Sequence, residues 1–257
     1  MNSGNYYGRL SDCHLHTHFS SDSDNPPENV IKQAIALGLK SICFTDHNDF
    51  DYPLEDGKVV FDLDLKSYID TITRLKEKYS HNITINVGVE QGLMPSVADR
   101  INAYDKDCQL DFIIGSVKDS IISYYQCVID SIKTCDNFDV YGHLDYIIRY
   151  APGKDTDYNW MNYYDYIDTA LRMLIEKGKG IEINTAGLKY GLKYPNPCPD
   201  ILKRYRELGG EIITTGSDAH QTEYVAHRFD VIEDMLKGAG FGYYTVFERR
   251  KPVFIKL

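Results

Sequence analysis

Three histidines stand at alternate positions in DCHLHTHFSSDSD (residues 12–24), and an acidic run follows them. On an extended strand a two-residue period puts His14 and His16 on one face, close enough to chelate a single cation. Asp12 shares that face and is placed to orient a ligand histidine from behind. His18 falls past the strand end, as an exposed loop residue. Taken alone, such a pair is more often a surface feature. TDHND holds Asp46 and His47 at the end of an apolar run, where a helix cap or turn is the plainer reading. NVGVE ends in Glu90, which is costly to bury unless paired or bound to metal and is otherwise a surface residue just past its strand. VYGHLD offers His143 on the same terms. TTGSDAH is stronger, with Asp218 and His220 again two apart and Gly216 permitting a tight turn. Apart from His81 and His227, every histidine lies in one of these clusters. The shared chemistry they point to is a metal site.

Those clusters need a scaffold. Residues 9–15, 40–46, 83–89, 111–117, 138–143, 180–184 and 211–216 read as short buried strands, rich in Ile, Val or Phe. Helical patterns run over 27–37, 64–79, 95–106, 120–134, 160–177, 197–208 and 228–238, several closed by glycine or opened by proline. This makes seven β-α units. Their carboxyl ends carry, in order, His14 and His16, Asp46 and His47, Glu90, Lys118, His143, Asn184, and Asp218 with His220. An open sheet concentrates function at its switch point, whereas a closed α/β barrel gathers all strand ends on one rim. Ligand-type residues on every strand therefore favour the barrel.

The 257 residues are enough for one barrel or two smaller domains. With no internal repeat, low-complexity linker or domain boundary, the expectation is one domain over 1–257. The polar stretch 148–159 reads as a surface or active-site loop. A net charge of −10 argues against non-specific binding to nucleic acid or membrane, while leaving room for a local basic pocket. None of the six cysteines forms a C-x-x-C pair, so a thiolate zinc site is not expected. Cys13 should face away from its histidine neighbours, as a small core residue. No signal peptide and no apolar run of bilayer length is visible, and free thiols suit a reducing cytoplasm. The 21 tyrosines carry no functional reading at this level.

DCHLHTHFSSDSD, FTDHNDF, GVE, IGSV, GHLD, EINTAGL and GSDAH occur in this order and resemble the motifs of the PHP family, named for polymerase and histidinol phosphatase. The segment from EINTAGL to GSDAH, and the ending AGFGYYTVFERRKP, resemble its stand-alone histidinol-phosphatase branch. The resemblance covers the whole chain. It implies a distorted (β/α)7 barrel with two or three divalent metal ions (Zn, Mn or Fe) on the carboxyl rim. His14, His16, Glu90 and Asp218 would hold one metal. Glu90 would bridge to a second, completed by His143 and a residue of the fourth strand's motif. His47 and His220 would hold a third, with Asp22. Arg149 matches a phosphate-binding arginine, and Asn184 and Lys189 match a segment near the phosphate. The activity implied is hydrolysis of L-histidinol phosphate in histidine biosynthesis, with a small phosphorylated substrate, no nucleic acid or membrane partner, and an oligomeric state left open.

One departure stands out. The family motif continues GSVH, its histidine a metal ligand, whereas this chain reads GSVKDS, with Lys118. A protonated ammonium cannot coordinate a cation. Three arrangements compete: Lys118 neutral and ligating; Lys118 turned away, with water or Asp119 in its place; or Lys118 replacing a metal's charge and binding substrate phosphate. The last two are favoured, since loss of a histidine weakens the second site. In the expected chemistry a metal lowers the pKa of bound water to roughly 7, and the hydroxide attacks phosphorus in line. Arg149, Lys118 or Lys189 then neutralise phosphoryl oxygens. Two alternatives remain: a phosphoesterase acting on nucleotides or oligonucleotide ends, and a metal-binding barrel without catalysis. Lys118→His is expected to increase the metal bound per chain; equal stoichiometry by elemental analysis would contradict the weakened second site.

Overall fold

The computed structural model describes residues 10–50, 60–93, 95–103, 110–116, 121–150 and 158–257. Lys118, Asp119, Cys108 and residues 151–157 of the 148–159 loop lie outside them. Seven parallel strands run in chain order: β1 (Ser11–Leu15), β2 (Ser41–Asn48), β3 (Thr84–Gly92), β4 (Phe112–Ser116), β5 (Val140–Tyr141), β6 (Gly180–Asn184) and β7 (Ile213–Gly216). Between them lie α1 (Pro27–Leu37), α2 (Leu65–Lys78), α3 (Ala98–Ala103), α4 (Ile121–Thr134), α5 (Tyr164–Glu176), α6 (Ala186–Lys189) and α7 (Pro199–Glu207), and α8 (Ile232–Gly238) follows β7. Apart from Thr84 and Gly92 at the two ends of β3, the residues of these strands are buried, as parallel strands covered on both faces require.

Local chemistry sets several ends. Pro27 opens α1 without losing a needed N–H, and Gly38 closes it in the left-handed region at φ 73°. Asp64 caps α2 by accepting from the Ser67 N–H at 3.1 Å. The expected strands and helices all appear, with shifted ends. The 95–106 pattern is a 3-10 turn (Pro95–Val97) followed by α3, and β5 shrinks to two residues.

The sheet curls until its first and last strands meet, so the barrel is nearly closed. Asp218 N–H donates to the His14 carbonyl at 2.9 Å, and His16 N–H to the Ala219 carbonyl at 3.1 Å. Thr215 Oγ1 donates to the Ser11 carbonyl at 2.6 Å. A register shift in β1 between Asp12 and Leu15 marks the distortion. Asp12 pins this seam. Its carboxylate accepts from Ser217 N–H at 2.9 Å, from the Ser217 hydroxyl, and from Ala226 N–H at 2.9 Å. The expected role of Asp12 behind a ligand imidazole is therefore corrected: its acceptors are spent on the loop after β7. Cys13 is a buried core residue, as alternation predicts.

An antiparallel hairpin, β8 (Tyr243–Glu248) and β9 (Lys251–Lys256), adds to the seven units. It lies against the amino-terminal ends of the strands: Tyr244 Oη meets Ser11 Oγ at 3.2 Å, Asn86 Nδ2 donates to the Phe247 carbonyl at 2.8 Å, and Arg250 Nε donates to Asp139 at 2.6 Å. That end of the barrel is thus closed structurally, and the opposite rim is left for chemistry.

Replacing Asp12 by Ala strands the two buried backbone donors of the loop after β7, at Ser217 and Ala226. At about 1–3 kcal/mol each, the expected loss is about 2–6 kcal/mol in urea unfolding. A midpoint equal to that of the parent protein would show that the seam does not depend on this carboxylate.

Candidate metal centre

The site is built around Glu90. Register in the β2–β3 pair sets Glu90 opposite His47. The carboxylate is 2 % exposed, with four imidazoles against it. His14 Nε2, His16 Nε2 and His47 Nδ1 lie 3.1, 3.3 and 3.2 Å from Oε2, and His143 Nε2 lies 3.2 Å from Oε1. Asp218 Oδ1 approaches His16 Nε2 at 3.4 Å, His14 Nε2 at 3.7 Å and His220 Nδ1 at 3.4 Å. Asp22 Oδ2 is 3.2 Å from His220 Nε2 and 3.5 Å from His47 Nε2. All eight residues expected as ligands from the sequence meet here. Among the described residues, His14, His16 and Asp218, His14, Glu90 and His143, and His16, His47 and His220 form three overlapping groups, each with ligand atoms within 4.8 Å of one another. His18 is exposed, outside the cluster.

Supporting residues decide which ring nitrogen faces the centre. His14 Nδ1 lies 2.7 Å from Glu182 Oε1, so its proton is held there and Nε2 presents a lone pair. His16 Nδ1 lies 3.2 Å from Ser20 Oγ, and that hydroxyl donates to Asp46 at 2.8 Å. Asp46, a strand-end carboxylate, thus acts through Ser20. His220 Nδ1 meets the Asp218 carbonyl at 3.0 Å, which turns its Nε2 toward Asp22. Glu182 was not singled out from the sequence, although it stands two positions before Asn184 on a buried strand. Its Oε2 also accepts from His143 N–H and Asn184 Nδ2, both at 3.1 Å. Gly216 belongs to this arrangement. A side chain there would overlap Glu182 and come 2.5 Å from His14 Cβ, so close approach, not a tight turn, is what glycine provides. His143 and Asp218 both have positive φ, at 28° and 53°, a local strain held in place by the surrounding bonds.

The electrostatics call for a cation. Burial would raise the Glu90 and Asp218 carboxyls, yet the neighbouring imidazoles, His47 and His14 for Glu90 and His14 and His16 for Asp218, hold both well below the usual carboxylate range. Burial opposes charge on His14, but Glu182, Glu90 and Asp218 outweigh it and hold that imidazole well above its ordinary value. His16 is pushed up to about 9 against burial, by its bonds to Asp218 and Glu90. The carboxylates stay ionised and demand positive charge, which a divalent ion supplies in place of protons. Two observations fit that ion. The Nε2 atoms of His14 and His16 face each other at 3.1 Å, and the buried His47 Nδ1, though 3.2 Å from Glu90 Oε2, makes no hydrogen bond of good geometry. Imidazole and carboxylate donors in this number make a divalent-metal site.

A cavity of about 740 Å³ opens over the cluster. Arg149 and Lys189, expected near phosphate, line it. The Arg149 guanidinium comes within 3.7 Å of Asp218, and partial burial lowers the Lys189 ammonium from its ordinary value. Asn184 sits elsewhere: it is fully buried behind His14, its amide bonded to Glu182 and to Ala186 N–H. The structure brings Arg149 and Lys189 to the pocket, but puts Asn184 among the supports of the ligand cluster. Tyr146, Tyr150 and Tyr190 also line the cavity. No motif spacing marked them; their only signal is the high tyrosine count.

A parallel seven-stranded barrel with an imidazole–carboxylate centre on its carboxyl rim defines a class of metal-binding α/β barrels. The chain belongs to the PHP domain family, whose model matches residues 12–186. A histidinol-phosphatase of Lactococcus lactis is 31% identical over 93% of this chain and 95% of its own. A probable histidinol-phosphatase of Thermotoga maritima is 31% identical over 96% of this chain and 100% of its own. The crystal structure of the Lactococcus lactis histidinol phosphate phosphatase, complexed with zinc, L-histidinol and phosphate, superposes with a TM-score of 0.85 at 29% identity, covering 95% of this chain and 99% of that one. A putative histidinol phosphatase from Listeria monocytogenes shares the fold, with a TM-score of 0.74 at 16% identity over 86% of this chain and 99% of its own.

Glu182→Gln keeps the side-chain shape but turns an NH₂ toward a set of donors. It is expected to weaken metal binding by about 10–100-fold in a competitive chelator titration. Unchanged affinity would show that His14 needs no carboxylate behind it.

Proposed function

We propose that this protein is a metal-dependent phosphomonoesterase, a histidinol-phosphatase that hydrolyses L-histidinol phosphate to L-histidinol and inorganic phosphate in histidine biosynthesis. The observation that carries the reading is the juxtaposition of two side-chain cations, Arg149 and Lys189, with the Glu90–Asp218 ligand cluster in one cavity. Support comes from near full-length similarity to an enzyme whose structure holds zinc, L-histidinol and phosphate.

The residues divide the work. His14, His16, Glu90 and Asp218 would hold one ion, Glu90 and His143 a second, and His47, His220 and Asp22 a third, so that two or three are bound according to what Lys118 does. Bound divalent cations, zinc, manganese or iron, would supply Lewis-acid polarisation and water activation at neutral pH. Glu182 and Ser20 keep protons on the Nδ1 atoms of His14 and His16, so those rings stay in the ligating tautomer. Arg149 and Lys189 receive the non-bridging phosphoryl oxygens, Arg149 through its planar N–H edge. Among the described residues no helix is long and apolar enough to cross a membrane.

Phosphate release measured with L-histidinol phosphate, p-nitrophenyl phosphate, AMP and short oligonucleotides tests the assignment. Preference for L-histidinol phosphate is expected. Preference for AMP or oligonucleotides would move the protein to the nucleotide-directed alternative, and no turnover after Mn²⁺ or Zn²⁺ loading would leave a barrel without catalysis. Arg149→Ala is expected to lower kcat/KM for phosphate monoesters about a hundredfold, mainly through KM, with metal content intact. Unchanged kinetics would remove Arg149 from the phosphate site.

A further inference from the structure

Arg149 is held in an unusual way. Several other arginines are fixed by carboxylates, as Arg250 Nε is by Asp139 at 2.6 Å and Arg204 Nε by Asp168 at 2.8 Å. The Arg149 side chain is 8 % exposed, and among the described residues its carboxylate contact is Asp218 at 3.7 Å and its buried Nε has no hydrogen-bond partner. What contacts it closely are two aromatic faces. The guanidinium carbon lies 3.9 Å from the centre of the Tyr146 ring and 4.4 Å from that of Tyr190. The two rings come from different strand-end segments: Tyr146 begins the 3-10 turn Tyr146–Tyr150 after β5, and Tyr190 is the C-terminal cap of α6 after β6.

Stacking of this kind uses the face of a guanidinium and leaves its in-plane N–H groups unspent. A group fixed by carboxylates would already have surrendered those donors. We propose that Tyr146 and Tyr190 are positioning residues, gripping Arg149 between their faces so that its donor edge is free and pre-oriented for the substrate's phosphoryl oxygens. This rests on the assignment of Arg149 to phosphate. The device lowers the entropy lost when a long side chain captures an anion, and it holds the guanidinium without a hydrogen-bonded carboxylate, Asp218 standing 3.7 Å away. It also gives a use to tyrosines that no motif accounts for.

Tyr190 is the position to test. Tyr146 also contacts the His143 ring at 4.8 Å between centroids and shares a 2.8 Å hydroxyl contact with Tyr150, so its removal would disturb a candidate metal ligand. Tyr190 is 45 % exposed, and its loss leaves little void. The experiment is calorimetric titration of the metal-loaded protein with inorganic phosphate, alongside kcat, KM and metal content, for Tyr190→Leu, Tyr190→Phe, Arg149→Ala and the Arg149→Ala/Tyr190→Leu double variant. Tyr190→Leu is expected to weaken phosphate binding about three- to thirty-fold and to raise KM by a similar factor, with kcat and metal content unchanged. Tyr190→Phe, which keeps the ring face, should restore both. In the Arg149→Ala background Tyr190→Leu should add nothing. Parental phosphate affinity in Tyr190→Leu, equal defects in the Leu and Phe variants, or an undiminished effect without Arg149 would each overturn the proposal while leaving Arg149 at the phosphate. Parental affinity in Arg149→Ala would instead remove the phosphate assignment, and the proposal with it.

Discussion

A carboxylate cannot be buried among imidazoles without positive charge close by, and Glu90 imposes this condition on the whole rim. It is nearly inaccessible to solvent and touched by four ring nitrogens from three separate stretches of the chain. Protons on those rings can meet the demand, at the cost of charging buried histidines. Divalent ions meet it better, because one ion satisfies several donors and lets the rings stay neutral. Divalent-metal binding at this rim therefore follows from a charge-balance problem that the parallel barrel creates when it brings β1, β2, β3, β5 and the loop after β7 to one mouth.

The barrel's two ends are specialised accordingly. At the amino-terminal mouth the β8–β9 hairpin spends its hydrogen bonds on strand starts, through Tyr244, the Phe247 carbonyl and Arg250. At the carboxyl mouth, polar groups buried below the surface hold the ligands still: Glu182 behind His14, Ser20 and Asp46 behind His16, and Asp12 across the β1–β7 seam. Positive φ at His143 and Asp218 shows that backbone comfort yields to ligand placement at two of the positions that deliver a side chain inward. Outside this scaffold, the cavity wall changes character, with aromatic rings around Arg149 and Lys189.

Much of the rim was legible in the sequence, because a ligand must stand at a strand end and strand ends are marked by period-two histidines after apolar runs. His14 with His16, and Asp218 with His220, declare themselves in that way. Asp22 and Arg149 do not; they followed only from motif resemblance, since nothing local distinguishes one acidic loop residue or one arginine from its neighbours. Glu182 was overlooked because it sits inside an apolar strand, where its partner His14 is 168 positions away. Asp12 shares the alternation of the histidines, but the loop that claims it, around Ser217 and Ala226, is joined to it only by barrel closure. The hairpin escaped for a turn-chemistry reason. Arg249 and Arg250 occupy its two-residue turn with φ of 49° and 60°, a conformation usually signalled by Asn-Gly.

The most direct test is an anomalous difference map recorded at the zinc edge from crystals grown with Zn²⁺. The account predicts at least one peak at about 2.0–2.2 Å from His14 Nε2, His16 Nε2 and carboxylate oxygens of Glu90 and Asp218. A rim without any peak, and with Glu90 still enclosed by its four imidazoles, would contradict the claim that this cluster exists to hold a metal.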